Sequence, residues 1–158
     1  MKRTLHVVFS AIVVTGVGAA MPAAAHAGGY GCNGSLVGTW RLPMKDAYTG
    51  EKFYISDIKL YYNASSGWNC AVLAKRPDHQ RYGTRTPMDI AMYNSRFRED
   101  NVKNNYDYDN GRFKYFAGPV RVYGKNMCVS IVAHHADTAG PFDGKWSGSR
   151  RIFGAACD

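Results

Sequence analysis

Residues 106–115 place the dipeptide Asn110-Gly111 between two runs in which charged and aromatic residues alternate. Asn-Gly in such a context is the strongest short-range signal for a two-residue β-hairpin, because both residues tolerate the positive φ angles of a type I′ turn. The resulting cross-strand pairs would be Asp109 with Arg112, Asp107 with Lys114, Tyr108 with Phe113, and Tyr106 with Tyr115. Each pair would contribute roughly 0.2–1 kcal/mol. The sequence therefore predicts a hairpin centred on residues 110–111.

A second hairpin is predicted from residues 58–62 and 68–73, which alternate on either side of a glycine-containing loop at 63–67. Because side chains separated by two positions share one face of a strand, we expect two inward-facing sets: Ile58, Leu60 and Tyr62, and Trp68, Cys70 and Val72.

Further short strands are expected at 36–40, 88–93, 120–123, 127–134 and 144–153. No stretch shows sustained helical periodicity, although residues 95–103 could hold a short helix. The sequence therefore predicts an all-β fold, a small antiparallel β-sandwich or barrel stapled by two disulfides.

The amino-terminal residues have the pattern of an export signal. Lys2 and Arg3 precede an apolar run at 5–20, and small residues flank His26 at 25–27. We expect residues 1–27 to be a signal peptide and 28–158 to form a single secreted β-domain. A membrane anchor is the alternative, but glycines and Pro22 interrupt the run. No later segment is apolar enough to cross a bilayer.

Four cysteines follow the expected cleavage site: Cys32, Cys70, Cys128 and Cys157. An even number of widely spaced cysteines in an exported chain indicates two disulfides rather than a metal site or a thiol nucleophile. Three pairings are possible and spacing does not select among them. We favour Cys32–Cys70 with Cys128–Cys157.

The chain is basic, and removal of Lys2 and Arg3 with the signal would lower its formal net charge from +8 to +6. Basic residues alternate with aromatic ones between positions 75 and 104, a composition that can bind a polyanion or a glycan. The alternative is a solvated excursion around one short strand. The candidate anion-binding residues are Arg76, Arg81, Arg85, Arg96 and Arg98.

Candidate catalytic groups are few. The adjacent His134 and His135 would point to opposite faces of a strand, so we expect surface or loop histidines rather than a metal pair. His135 with Asp137 is a better same-face couple, and His79 beside Asp78 could act as a base only near a nucleophile. We expect no enzyme, no cofactor and no metal. A small secreted hydrolase using one of these histidines is the second alternative.

Several short motifs resemble a known family. They are Tyr-Asn-x-Ser-x-Gly-x-Asn-Cys-x-Val at 62–72, Tyr-x-Ala-Gly-Pro-Val-x-Val at 115–122, and the cysteines at 128 and 157. These resemble the small exported four-cysteine proteins of actinomycetes called spore-associated protein A. The resemblance spans about 32–157 and departs from the family at 75–104. It implies a secreted, disulfide-bonded protein of the spore or cell surface without an established catalytic activity.

We therefore expect a secreted, non-enzymatic protein at an extracellular, spore or cell surface, whose partner is an anionic cell-wall or spore-surface polymer rather than a specific nucleic acid. The alternative is a carbohydrate- or polyanion-binding module that acts as a lectin or toxin. The oligomeric state does not follow from the sequence.

Overall fold

A computed structural model describes residues 28–79, 81–136 and 146–157, so the expected signal peptide lies outside the described residues. After a 3-10 turn at Gly29–Gly31, the strands are β1 (Ser35–Arg41), β2 (Met44–Asp46), β3 (Lys52–Phe53), β4 (Ser56–Asn63), β5 (Trp68–Lys75), β6 (Thr86–Asn94), β7 (Tyr106–Phe113), β8 (Phe116–Tyr123), β9 (Val129–Ala136) and β10 (Trp146–Ala155).

The strands form two antiparallel sheets. One has four strands in the order β1-β4-β5-β8, and the other has six in the order β3-β2-β10-β9-β6-β7. This confirms the predicted all-β fold with two sheets. Among the described residues, no helix has the length and apolar character needed to cross a membrane.

The core lies between the two sheets, and along a strand such as β6 buried residues alternate strictly with partly exposed ones. On β6, for example, Met88, Ile90 and Met92 are buried, whereas Asp89 and Ala91 are partly exposed. The four-stranded sheet contributes residues such as Leu60 and Leu73 to the same cluster. Period-two alternation therefore sets which residues each strand buries.

A smaller cluster covers the outer face of the four-stranded sheet. Cys32, Tyr61, Cys70 and Val72 pack there together with Tyr30. The disulfides are Cys32–Cys70 and Cys128–Cys157, as predicted. They join residues 38 and 29 positions apart, and closing loops of that length stabilises a fold by about 3–4 kcal/mol each. The amino-terminal arm is thus covalently attached to β5.

The second predicted hairpin is confirmed as β4 and β5, which pair from Ser56 with Lys75 to Asn63 with Trp68. Ile58 and Leu60 face the core as expected. The inward set on β5 was wrong by one position, because Ile58 pairs with Leu73 and Leu60 with Ala71. Both faces of β5 are covered, and Cys70 and Val72 of the predicted set pack in the smaller cluster instead, whereas Trp68 packs against Tyr123.

The predicted hairpin at Asn110-Gly111 is wrong. Strand β7 runs through both residues without a turn, and it pairs along its whole length with β6, from Thr86 with Phe113 to Tyr93 with Tyr106. The continuous ladder with β6 provides more backbone pairs than the short local hairpin would. The expected charge pairs and aromatic pairs across residues 110–111 therefore do not form.

The aspartates of that segment have a different role. The Asp109 carboxylate accepts a hydrogen bond from the Gly118 N–H at 2.7 Å, and the Asp107 carboxylate accepts one from the Arg121 N–H at 2.7 Å. Both amides belong to β8, an edge strand of the four-stranded sheet. Two side chains from one sheet thus supply acceptors for exposed backbone donors of the other, which protects an otherwise open edge.

The basic segment at 75–104 contains β6, which is longer than the predicted strand and lies inside the six-stranded sheet. Lys75 is buried, with 3% of its surface exposed. The strand predicted at 88–93 is confirmed as part of β6, and the solvated excursion expected around it does not include Lys75. The short helix expected at 95–103 does not form, and turns occupy these positions.

Candidate functional site

The five candidate arginines do not form one surface. Arg76, Arg81 and Arg85 precede β6, whereas Arg96 and Arg98 follow it. Because β6 has nine residues, the two groups are separated by about 26 Å along the strand. The structure therefore divides the predicted surface into two ends of the sandwich.

Arg76 lies in a charge-balanced environment. Its guanidinium donates to both carboxylate oxygens of Asp78, with the shorter contact at 3.1 Å. This pairing raises the pKa of Arg76 and lowers that of Asp78. The adjoining cavity, of about 790 Å³, is lined by Thr39, Arg41, Asp57, Arg76, Pro77 and Asp78. Two cations and two carboxylates give this lining no net preference for anions.

Arg81 stacks over Trp146, with its guanidinium carbon 5.5 Å from the ring centre. The neighbouring cavity of about 220 Å³ is lined by Asp46, Glu51, Phe53, His79 and Trp146. The Asp46 carboxylate accepts hydrogen bonds from the backbone N–H of Thr49, from the Trp146 indole and from the Tyr48 N–H, and these lower its pKa. Two carboxylates make this cavity unsuited to an anion.

A third cavity has the opposite character. It has a volume of about 230 Å³ and is lined by Arg85, Arg112, Phe113, Lys114, Tyr115 and Phe116, which we call the basic cavity. No carboxylate occurs among the described residues that line it. Guanidinium and ammonium groups are the side chains that bind carboxylate, sulfate and phosphate groups most strongly.

The segment before β6 and the end of β7 meet at the basic cavity and are joined by hydrogen bonds. The Arg85 guanidinium donates to the Arg112 carbonyl at 3.0 Å, and the Arg112 guanidinium donates to the Arg85 carbonyl at 3.3 Å. The Gly83 N–H donates to the Lys114 carbonyl at 3.1 Å. Gly83 has a φ of +83°, a backbone conformation that favours glycine.

The buried side chain of Lys75 also joins these two segments. Its ammonium group donates to the carbonyls of Thr84 at 2.5 Å and Phe113 at 2.9 Å. Each of these carbonyls belongs to a residue in or next to the cavity lining. The ring centres of Tyr82 and Tyr115 also lie 5.0 Å apart, so the two rings are in contact. The backbone segments that carry the cations therefore have a defined geometry, so less conformational entropy is lost when a ligand binds.

Sequence reasoning missed Arg112 and Lys114 because it assigned both to hairpin charge pairs. The run Arg-Phe-Lys-Tyr-Phe at 112–116 alternates cations with aromatic residues and is the signal that could have identified them. Of the five predicted arginines, Arg85 lines the basic cavity and the other four do not.

The histidines lie apart from one another. His134 is half-exposed and pairs with Asp89 at 3.3 Å on the outer face of the six-stranded sheet. His135 is buried, contrary to the expectation of a surface or loop position. Its ring lies 3.1 Å from the Ser56 hydroxyl and 2.8 Å from the Thr86 hydroxyl. Asp137, its expected partner, lies outside the described residues.

The arrangement around His135 connects the two sheets, because Ser56 belongs to the four-stranded sheet whereas Thr86 and His135 belong to the six-stranded one. Burial, reinforced by the positive charges of Lys75, His134 and His79, lowers the His135 pKa to about 3. His135 is therefore neutral at physiological pH. In the described part of the chain, no group of three or more histidine, cysteine, aspartate or glutamate side chains could hold a metal ion.

No family model, curated protein sequence or solved structure matches this chain.

Proposed function

We propose that this protein is a secreted, non-enzymatic surface protein that adheres to an anionic cell-wall or spore-surface polymer through the basic cavity. The observation that carries the proposal is the lining itself, in which Arg85, Arg112 and Lys114 surround one depression of about 230 Å³. An anionic group in this depression would be attracted by all three cationic side chains.

The net positive charge of the domain supports the same proposal. A basic domain attracts polyanions over the range of the Debye length, about 8–10 Å at physiological salt. Because each exposed contact is weak, adhesion would depend on repeated contacts along a polymer. The two disulfides are consistent with an extracellular protein, and the resemblance to the spore-associated protein A family supports a spore or cell surface as the location.

The experiment compares two double variants with the same change in charge. Arg85→Gln/Lys114→Gln alters the basic cavity, and Arg96→Gln/Arg98→Gln alters the opposite end of β6. All four side chains are exposed, so both variants should fold. The secreted protein and each variant are bound to an immobilised anionic polymer and eluted with a salt gradient.

We expect the cavity variant to elute at clearly lower salt than the wild type and the control variant to elute near the wild-type position. Each lost cation should reduce the slope of log affinity against log salt by roughly 1. Equal shifts for both variants would show that net charge alone governs retention. Unchanged elution of the cavity variant would refute the proposal.

A further inference from the structure

The outer face of β7 forms a continuous path that leads to the basic cavity. Tyr106, Tyr108, Asn110 and Arg112 occupy alternate positions of this strand and therefore share one face. The last three are exposed. Because β7 is an edge strand of the six-stranded sheet, this path lies along the border of the molecule. A linear ligand could reach it from the side.

The start of the path is aromatic. The ring of Phe97 lies between two tyrosine rings, with its centre 5.9 Å from that of Tyr93 and 5.1 Å from that of Tyr106. The ring centres of Tyr106 and Tyr108 are 5.9 Å apart. The first three rings are half-buried by one another, whereas Tyr108 is 59% exposed. Tyr108 is therefore supported from one side and presents aromatic surface to the solvent on the other.

The spacing of the path suits a short stretch of polymer. Residues two apart on a strand are separated by about 6.7 Å, so Tyr108 and Arg112 are about 13 Å apart. Between them, the amide of Asn110 can both donate and accept hydrogen bonds. The path thus places an aromatic surface, an amide and a cation in a line.

We infer that the anionic polymer is a polysaccharide, with a sugar ring packed on Tyr108, its hydroxyl groups near Asn110 and a carboxylate or sulfate in the basic cavity. This inference rests on the proposed function and specifies its ligand. The apolar C–H face of a sugar matches an aromatic surface, and its hydroxyls match an amide. Polyphosphate has neither group.

A single-stranded nucleic acid is the competing ligand, since bases also stack on aromatic rings. Such proteins use several aromatic side chains to stack successive bases. In this row Tyr93, Phe97 and Tyr106 are partly covered by neighbouring rings, which leaves Tyr108 as the most exposed of the four. The geometry therefore favours a sugar chain.

The test measures the affinity of the secreted protein for three probes: polygalacturonate, inorganic polyphosphate and oligodeoxythymidylate. The variants are Tyr108→Ala, Tyr108→Phe and Arg85→Gln/Lys114→Gln. Tyr48→Ala is the matched control, because Tyr48 is 79% exposed in the turn between β2 and β3. Tyr108→Phe keeps the ring and therefore separates loss of stacking from a disturbed fold.

We expect Tyr108→Ala to weaken polygalacturonate binding about tenfold, the size of losing one stacking ring, and to leave polyphosphate binding unchanged. Tyr108→Phe and Tyr48→Ala should bind as the wild type does. The inference fails if Tyr108→Ala leaves polygalacturonate binding intact, weakens both polyanions equally or weakens oligodeoxythymidylate alone. If Arg85→Gln/Lys114→Gln changes no affinity, the proposed function itself fails.

Discussion

Replacement of His135 by glutamine should remove a specific part of the acid sensitivity of this fold. His135 lies at the sheet interface, where its two ring nitrogens contact the hydroxyls of Ser56 and Thr86. One nitrogen of a neutral imidazole donates and the other accepts, so the two hydroxyls satisfy both. Glutamine can also donate and accept hydrogen bonds, but it does not titrate.

The size of this effect on the free energy of unfolding follows from the difference between the His135 pKa in the unfolded chain and in the folded protein. In the unfolded chain His135 takes up a proton near its ordinary pKa of 6.5, whereas in the folded protein burial lowers the pKa to about 3. Between these values the unfolded state binds more protons, so the free energy of unfolding falls as the pH falls. The slope approaches about 1.4 kcal/mol per pH unit. Between pH 6.5 and pH 4 the loss sums to roughly 3 kcal/mol.

The assay is urea unfolding of the wild type and His135→Gln at several values between pH 7.5 and pH 4. The carboxylates of Asp46 and Asp78, whose pKa values are lowered in the folded protein, add their own acid sensitivity near pH 4, but they are present in both proteins and drop out of the difference. The two proteins differ only at position 135, so the difference between their profiles isolates the contribution of His135. The reasoning would be refuted if the two stability profiles ran parallel with pH.

Two pairs of variants test the polar groups of the core and of the sheet edge. Asn69→Leu should raise the free energy of unfolding by about 1 kcal/mol in urea denaturation, because its buried amide has no partner among the described residues and such a group costs roughly 1–3 kcal/mol. The same replacement at Asn94, whose side-chain amide donates to the Tyr123 carbonyl at 2.7 Å, should lower the free energy of unfolding by about 2–3 kcal/mol. A loss of stability in both variants would contradict this account. Asp109→Ala should cost about 1–3 kcal/mol in thermal or urea unfolding by leaving the Gly118 N–H without its acceptor. Asn110→Ala, on the exposed face of the same strand, should change stability by less than about 0.5 kcal/mol; equal effects would argue against edge protection.

The five predicted arginines lie at two ends of the sheet. Arg85 belongs to the basic cavity, but Arg96 lies at the far end of β6. A count of basic residues along the chain cannot separate these positions, because the intervening strand carries them to opposite ends of the sheet. Lys114 was missed for the related reason that a local charge pair explained it.

Local pattern by itself determined much of this protein: the all-β class, the β4–β5 hairpin and the burial of Ile58 and Leu60, because alternation and turn composition act over a few residues. Only the tertiary structure decided how strands distant in sequence pair. The Asn110-Gly111 dipeptide favours a turn, yet a full-length ladder with β6 replaces it, because backbone pairs along a whole strand outweigh one local turn. That same pairing places Tyr108, Asn110 and Arg112 on one exposed face, and so creates the path along which we infer that a polysaccharide binds.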